Sequence, residues 1–343
     1  MENKKLKIAF LNIYQKSVLR GSERVINDLS FRMKQKGHTV EVLSQNDTKV
    51  LPRWPILWRL YLDPNSISIA IFTLKKLTKL WTSKYDVIIP SNGGWQPVIV
   101  RIFTWIRGGK MIIIGHSGIG WDDRNNLWSF PDYFVAISKK AESWAKRVNP
   151  FVRIKYIPNG VDTTKFSPTG KKLKIDLPKP IILCVAALEK NKRVDLVIKA
   201  VSKTNVSLLV VGDGPGRDEI KKTGGQLLGK RFKLKKYPFE KMPAVYRSAD
   251  LFTLASKPQY SFEVVILEAM ASGLGVVVNR DPIRADIVGE AGFMVKPTDS
   301  EKYGRSLERA LKQDWKFVPV KQAKKYDWEN ISEQYEKLFL EIS

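Results

Sequence analysis

The run Tyr260-Ser-Phe-Glu-Val-Val-Ile-Leu-Glu-Ala-Met-Ala-Ser-Gly273 sets two carboxylates, Glu263 and Glu268, into a stretch of otherwise mostly apolar helix formers. Ser261 is a capping residue type. The first turn of the helix it opens directs unpaired N–H groups and a positive dipole end outward, which suits a diphosphate. Glu268 lies between Leu267 and Ala269. On such a helix it can accept from two adjacent ribose hydroxyls or pair with a nearby Lys or Arg. Histidines and cysteines are scarce: His38, His116 and Cys184 are the only ones. This excludes Cys/His zinc sites, disulfide frameworks and CxxC redox centres, each of which needs several ligands at short spacing. No metal and no cofactor are expected. The sequence Gly212-Asp-Gly-Pro-Gly216 is neither GxGxxG nor a Walker A loop, so nicotinamide binding and ATP hydrolysis are unsupported.

Regular elements have to position these residues. Short runs rich in Ile and Val predict strands at 8–13, 39–44, 86–90, 110–116, 133–138 and 155–158, then at 181–187, 207–211, 231–235, 251–255, 275–278 and 293–295. Their continuity is that of parallel strands covered on both faces. Between the first two, Val25, Ile26, Leu29 and Met33 have helical spacing over 22–36, with Gly37 as the stop. Further helices are predicted from near Arg193, Arg217, Pro243, Phe262, Ile283 and Glu301. With 343 residues, 43% hydrophobic and 27% charged, the chain reads as two globular α/β domains. The expected domains are 1–168 and 169–327, joined by a Pro- and Lys-rich linker, with an amphipathic helix 328–343 packing back onto the first. Two doubly wound sheets in tandem predict a ligand cleft outside the carboxyl ends of their strands.

The stretch SFEVVILEAMASG resembles the signature of the family 4 retaining glycosyltransferases, whose GT-B fold comprises two facing Rossmann-like domains. The resemblance extends through the glycine loop Arg20-Gly-Ser-Glu-Arg24, IPNGVDTTKFSP at 157–168, VAALEKNKRVDLVIKAV at 185–201, VVGDGPG at 210–216, MPAVYRSADLFTLAS at 242–256 and IVGEAGFMVKP at 287–297. It implies a nucleoside-diphosphate sugar donor and a catalytic set of His116, Lys192, Arg193 and Glu263. Donor-contacting positions would be Gly21, Ser22, Gly214, Tyr260, Ser261, Phe262, Val264 and Glu268.

Two departures stand out. The family's Arg-x4-Lys pair is here Ala187 and Lys192, with Arg193 adjacent, and the first of its paired glutamates is Tyr260. Glu263 or the Tyr260 hydroxyl could replace that glutamate. Bland alternatives are a solvated basic loop at 190–193, a Glu263 that only complements the helix dipole, and a His116 satisfied by a backbone carbonyl. The implied reaction is sugar transfer to a hydroxyl of a glycan or lipid-linked acceptor. A related epimerase or a catalytically silent partner of another transferase are the rival functions.

The formal charge of +25 is spread over both halves. Within 49–84, Lys49, Arg53, Arg59, Lys75, Lys76, Lys79 and Lys84 face only Asp63 and interleave with Trp54, Trp58, Tyr61, Phe72 and Trp81. That pattern fits an anionic membrane surface. No nucleic-acid module is recognisable, and the basic cluster at 230–241 alternates like a solvated strand face. No apolar run is long enough to span a membrane. The interrupted apolar N-terminus reads as a first strand, so a cytoplasmic protein peripheral to the inner membrane face is expected.

Overall fold

The computed structural model describes residues 4–17, 21–54, 56–257 and 262–343. It divides into two compact units, Met1–Asn159 with Trp328–Ser343, and Gly160–Asp327.

In the first unit the elements run β1 (Lys7–Leu11), α1 (Gly21–Gln35), β2 (Thr39–Leu43), α2 (Pro64–Ser83), β3 (Val87–Pro90), α3 (Trp95–Arg107), β4 (Lys110–Gly115), α4 (Trp121–Trp128), β5 (Tyr133–Ala136), α5 (Lys139–Val148) and β6 (Ile154–Tyr156). The six strands form one sheet in the order β2-β1-β3-β4-β5-β6, every ladder parallel. The order reverses between β1 and β3, whose register pairs Ile8 with Val87. Val25, Ile26, Leu29 and Met33 are the buried stripe of α1. Its end is closed by Gly37, at φ +88, with His38 N–H bonded to Met33 O. Asp63 caps α2 by accepting from the N–H groups of Asn65 and Ser66, ahead of Pro64 at the first helical position.

The second unit contains β7 (Ile181–Val185), α6 (Val194–Val201), β8 (Ser207–Val211), α7 (Arg217–Leu228), β9 (Phe232–Lys235), α8 (Met242–Tyr246), β10 (Leu251–Leu254), α9 (Val264–Ala271), β11 (Val276–Asn279), α10 (Pro282–Val288), β12 (Gly292–Val295), α11 (Ser300–Lys312) and α12 (Val318–Lys324). Its sheet has the order β12-β11-β10-β7-β8-β9, again parallel throughout, and reverses between β7 and β10. Such a reversal leaves a crevice at the carboxyl ends of the two diverging strands, where doubly wound sheets bind ligands. One edge of this sheet is β9, where Lys233 pairs with Asp176, Lys235 is exposed, and Lys236, just past the strand, lies 2.8 Å from Asp213. Charged side chains on an edge strand oppose unwanted pairing.

The chain then closes with α13 (Trp328–Ile342), which packs on α1 in the first unit and buries Trp328, Ile331, Tyr335, Leu338 and Phe339. His38 clips this arrangement: its Nδ1 accepts from Leu6 N–H at 3.1 Å, and its Nε2 faces Glu336 Oε1 at 3.2 Å.

Two boundaries differ from the sequence expectation. Residues 160–168 pack with the second unit, not the first. Phe166 is buried edge-on against Tyr246, and Arg247 donates to Ser167 O. Strands β1, β5 and β7 also end two residues, and β4 one residue, before their apolar runs do, and residues such as Ile13 and Ala186 stay buried after leaving the ladder.

Candidate active site

In the second unit the chemistry gathers at the carboxyl ends of β7, β10 and β11. After β7 the chain makes a tight turn over Lys190–Lys192, and Arg193 adopts φ +48 before α6 begins. That turn aims Lys192 at Glu263, at the N-cap position of α9. Lys192 Nζ lies 2.9 and 3.2 Å from the two carboxylate oxygens. On the other side Arg284 Nη2 approaches Glu263 Oε1 at 3.3 Å, while Arg284 Nη1 pairs with Asp281 Oδ2. Asp281 is the N-cap of α10 and also accepts from the N–H groups of Ile283 and Arg284. One carboxylate is therefore held between two cations. They differ in access: the Lys192 side chain is 18% exposed and that of Arg284 only 2%. Lys192 is the cation an incoming anion can reach, and Arg284 the one that holds Glu263 in place.

Arg193 has another duty. Its Nε and Nη2 donate to Ala255 O and Ser256 O at 2.7 and 3.0 Å, which ties the turn after β7 to the end of β10. Burial, and then the neighbouring Arg284, lower its pKa. The Glu268 carboxylate is almost fully buried and accepts from the Tyr246 hydroxyl at 2.6 Å. Gly214, at φ +152, sits where a Cβ would come within 2.9 Å of the Leu188 backbone, so two loops pack main chain to main chain there. The thiol of Cys184 is pushed up to about 12 by burial and is inert. Phe262 is buried against Tyr326, and Val264 opens α9. Tyr260 and Ser261 lie outside the described residues. The helix starts at Val264, two residues later than expected, with Glu263 at its cap position. Three buried polar atoms around this crevice, Ser256 Oγ, Asn279 Oδ1 and Arg284 Nε, have no hydrogen-bond partner among the described residues. Buried polar groups without partners call for a polar ligand or water.

In the first unit, Gly21 starts α1 and a Cβ there would meet nothing within 4 Å, so packing does not require the glycine. The Ser22 hydroxyl donates to Glu23, itself buried beside Asn12. His116 follows β4. Its Nε2 is shielded from solvent and lacks a hydrogen-bond partner among the described residues, and burial lowers its pKa to about 4. The imidazole is thus neutral at neutral pH, and no backbone carbonyl satisfies Nε2. Nearby in sequence, burial raises Asp123 to about 8 against the lowering effect of the amide of Asn126.

Sequence reasoning missed Arg284, Asp281, Tyr246 and Asp123. Asp281-Pro282 is a readable helix start, and an arginine on that short helix could have been flagged.

Residues 179–313 match the model for glycosyl transferases group 1, and residues 19–165 match that for glycosyltransferase family 4. A glycosyltransferase of Methanocaldococcus jannaschii, itself uncharacterized, is 28% identical over 88% of this chain and 84% of its own length. The chain belongs to the GT4-type glycosyltransferases. A GDP-mannose-dependent phosphatidylinositol monomannoside mannosyltransferase of Mycolicibacterium smegmatis is 25% identical over 71% of this chain and 72% of its own. Among solved structures, Anabaena HepE in complex with UDP matches 98% of this chain and 100% of its own, with a TM-score of 0.74 at 19% identity. The two six-stranded parallel sheets are accordingly those of a GT-B glycosyltransferase.

His116 and Asp123, both in the first unit, predict opposite pH dependences. His116, with its pKa lowered to about 4, stabilises less as pH falls from the ordinary imidazole range toward 4, because the unfolded chain takes up the proton first. Asp123, raised to about 8, contributes stability that is full at low pH and lost as pH rises from the ordinary carboxylate range through 8. Asp123→Asn should therefore gain stability relative to the parent between pH 5 and pH 9, read from denaturant midpoints. A gap that stays constant with pH would contradict the protonated carboxyl.

Proposed function

We propose that the chain is a retaining, metal-independent transferase. It moves a sugar from a nucleoside-diphosphate sugar to a hydroxyl of a lipid-linked or cell-surface glycan acceptor, at the anionic inner face of the cell membrane. The carrying observation is the accessible Lys192 held by Glu263 at the reversal point of the second sheet. A donor diphosphate takes Lys192 from Glu263. The carboxylate stays anchored on Arg284 and can turn toward the sugar hydroxyls. The bond from the anomeric carbon to the diphosphate oxygen breaks, the acceptor oxygen bonds to that carbon from the same face, and the acceptor proton passes to the departing phosphate. Lys192 and the N–H groups at the start of α9 stabilise the charge on that phosphate as it develops. Glu268 serves the ribose, and neutral His116 the sugar. Arg193 contributes by fixing the turn that carries Lys192.

The names of relatives support the donor class. HepE structures were solved with UDP and with UDP-glucose, and the mycobacterial relative is named for GDP-mannose and a phosphatidylinositol acceptor. The membrane assignment is supported by the first unit's surface. No helix among the described residues is long and apolar enough to cross a membrane. Helices α2 and α3 pack together, yet they leave Ile67, Ile71, Leu74, Trp81, Val98, Ile102, Trp105 and Ile106 exposed. Between Asp63 and Asp122 the only acid is Asp86, against Lys75, Lys76, Lys79, Lys84, Arg101, Arg107 and Lys110. Arg101 and Arg107 lie over the rings of Trp105 and Trp81. Apolar aromatic surface framed by cations has the character of a headgroup-depth contact.

Lys192→Ala should lower transfer by about 10²–10³-fold, the loss typical of removing one group that stabilises developing charge. The thermal shift given by the preferred nucleoside diphosphate should shrink with it. Turnover at the parental rate would remove Lys192 from the mechanism. Co-sedimentation with liposomes should increase with anionic lipid and decrease with salt. Equal binding to neutral and anionic vesicles would overturn the membrane assignment.

A further inference from the structure

Three segments after β2, β3 and β4 meet at one tyrosine. The Tyr61 hydroxyl lies 2.9 Å from the donating Asn125 Nδ2 and 3.3 Å from Asp122 Oδ1. Asp122 Oδ2 receives Arg53 Nη1 at 3.2 Å. Helices α3 and α4 each begin with a tryptophan directly after a glycine, Gly94-Trp95 and Gly120-Trp121, and neither has a side-chain cap. The two indole N–H groups turn back onto the same loop: Trp95 Nε1 donates to Tyr61 O and Trp121 Nε1 to Arg59 O, both at 3.1 Å. Trp95 and Trp121 are nonetheless 43% and 41% exposed, respectively, and with their indole N–H groups already bonded the rings have no polar atom left to offer a ligand.

Tyr61 is also held against its own preference. Its φ is +56, a left-handed conformation that costs a bulky residue about 1–3 kcal/mol. Backbone strain of this kind persists only where surrounding contacts impose it, and here they fix the hydroxyl between a carboxylate and an amide. Burial raises that hydroxyl to about 12, so it stays a neutral donor and acceptor.

Exposed indole carbon beside a carboxylate, an amide, a phenol and a guanidinium is the chemistry that holds a pyranose. The C–H face of the sugar covers an aromatic ring, while its hydroxyls bridge carboxylate and amide oxygens and nitrogens. A phosphate is disfavoured by Asp122, and an acyl chain would strip water from Asp122, Asn125 and Arg53 without replacing their hydrogen bonds. We propose that Tyr61, Trp95, Trp121, Asp122 and Asn125, with Arg53, form a binding subsite for a neutral sugar ring of the acceptor. The word acceptor rests on the transferase assignment above; the sugar subsite does not.

Saturation-transfer NMR on the full chain tests it, with the methyl and octyl glycosides of glucose, mannose, galactose and N-acetylglucosamine as probes. Ring-proton saturation is expected for at least one methyl glycoside, reduced by about fivefold or more, roughly 1 kcal/mol of binding, in both Trp121→Ala and the near-isosteric Asp122→Asn. The thermal shift of Asp122→Asn with nucleoside diphosphate should match the parent, which verifies its fold. Absence of ring-proton saturation from every glycoside, or a signal unchanged in both variants, overturns the subsite. Saturation confined to the alkyl protons of the octyl glycosides overturns it in favour of a lipid surface. A glycoside signal that depends on Asp122 in a chain showing no nucleotide shift would sustain the subsite and overturn the transferase assignment instead.

Discussion

The second unit depends on a single carboxylate placed between two cations. Glu263 is buried and touches both Lys192 and Arg284. Removing charges this far from water is costly unless the geometry and the remaining hydrogen bonds compensate. The compensation comes from the topology. The sheet reverses between β7 and β10, which brings the turn with Lys192 beside the start of α9, and α10 delivers Arg284 with its own partner, Asp281. Arg193 secures the same turn to the end of β10. Each of these groups is satisfied largely by another in the set, and only Lys192 is open enough for exchange. On the proposed reading, the arrangement stores one accessible positive charge for a diphosphate to claim, with the carboxylate anchored on Arg284 when that happens.

Most of the architecture was legible from apolar periodicity. The twelve strands among the described residues and the burial of α13 through Trp328, Ile331, Tyr335, Leu338 and Phe339 follow from runs and stripes visible in the sequence. Element ends were less legible, since residues such as Ile13 remain in the core after the ladder stops. The start of the second unit is hidden for a related reason. Pro168 and Gly170 look like a linker, but Phe166 is anchored by Tyr246, a contact between residues eighty apart that no local pattern encodes.

The site was legible by type more than by partnership. Lys192, Glu263 and Glu268 stood out as charges in apolar or loop surroundings, yet their partners could not be inferred. Arg193, adjacent in sequence to Lys192, instead donates to the carbonyls of Ala255 and Ser256 just past β10, from a left-handed φ of +48. Glu268 accepts from the Tyr246 hydroxyl, a partner that neither the ribose reading nor the Lys or Arg pairing suggested by its sequence setting names. The glycines of 212–216 serve close packing against 186–188, a role indistinguishable in sequence from a phosphate cradle. The positive charge divides in the same way: β9 carries a solvated share, the surface of α2 and α3 another, and a few cations belong to the site.

The exchange of Lys192 between Glu263 and a diphosphate is the central claim. Calorimetric titration of the parent and of Glu263→Gln with the nucleoside diphosphate the parent prefers tests it most directly. Loss of the competing carboxylate should tighten binding of the nucleotide by roughly three- to tenfold, about 0.7–1.4 kcal/mol, with the gain shrinking as salt is raised. Binding that weakens to a similar extent in Glu263→Gln would mean that the carboxylate supports the diphosphate site instead of guarding it, and would contradict the exchange.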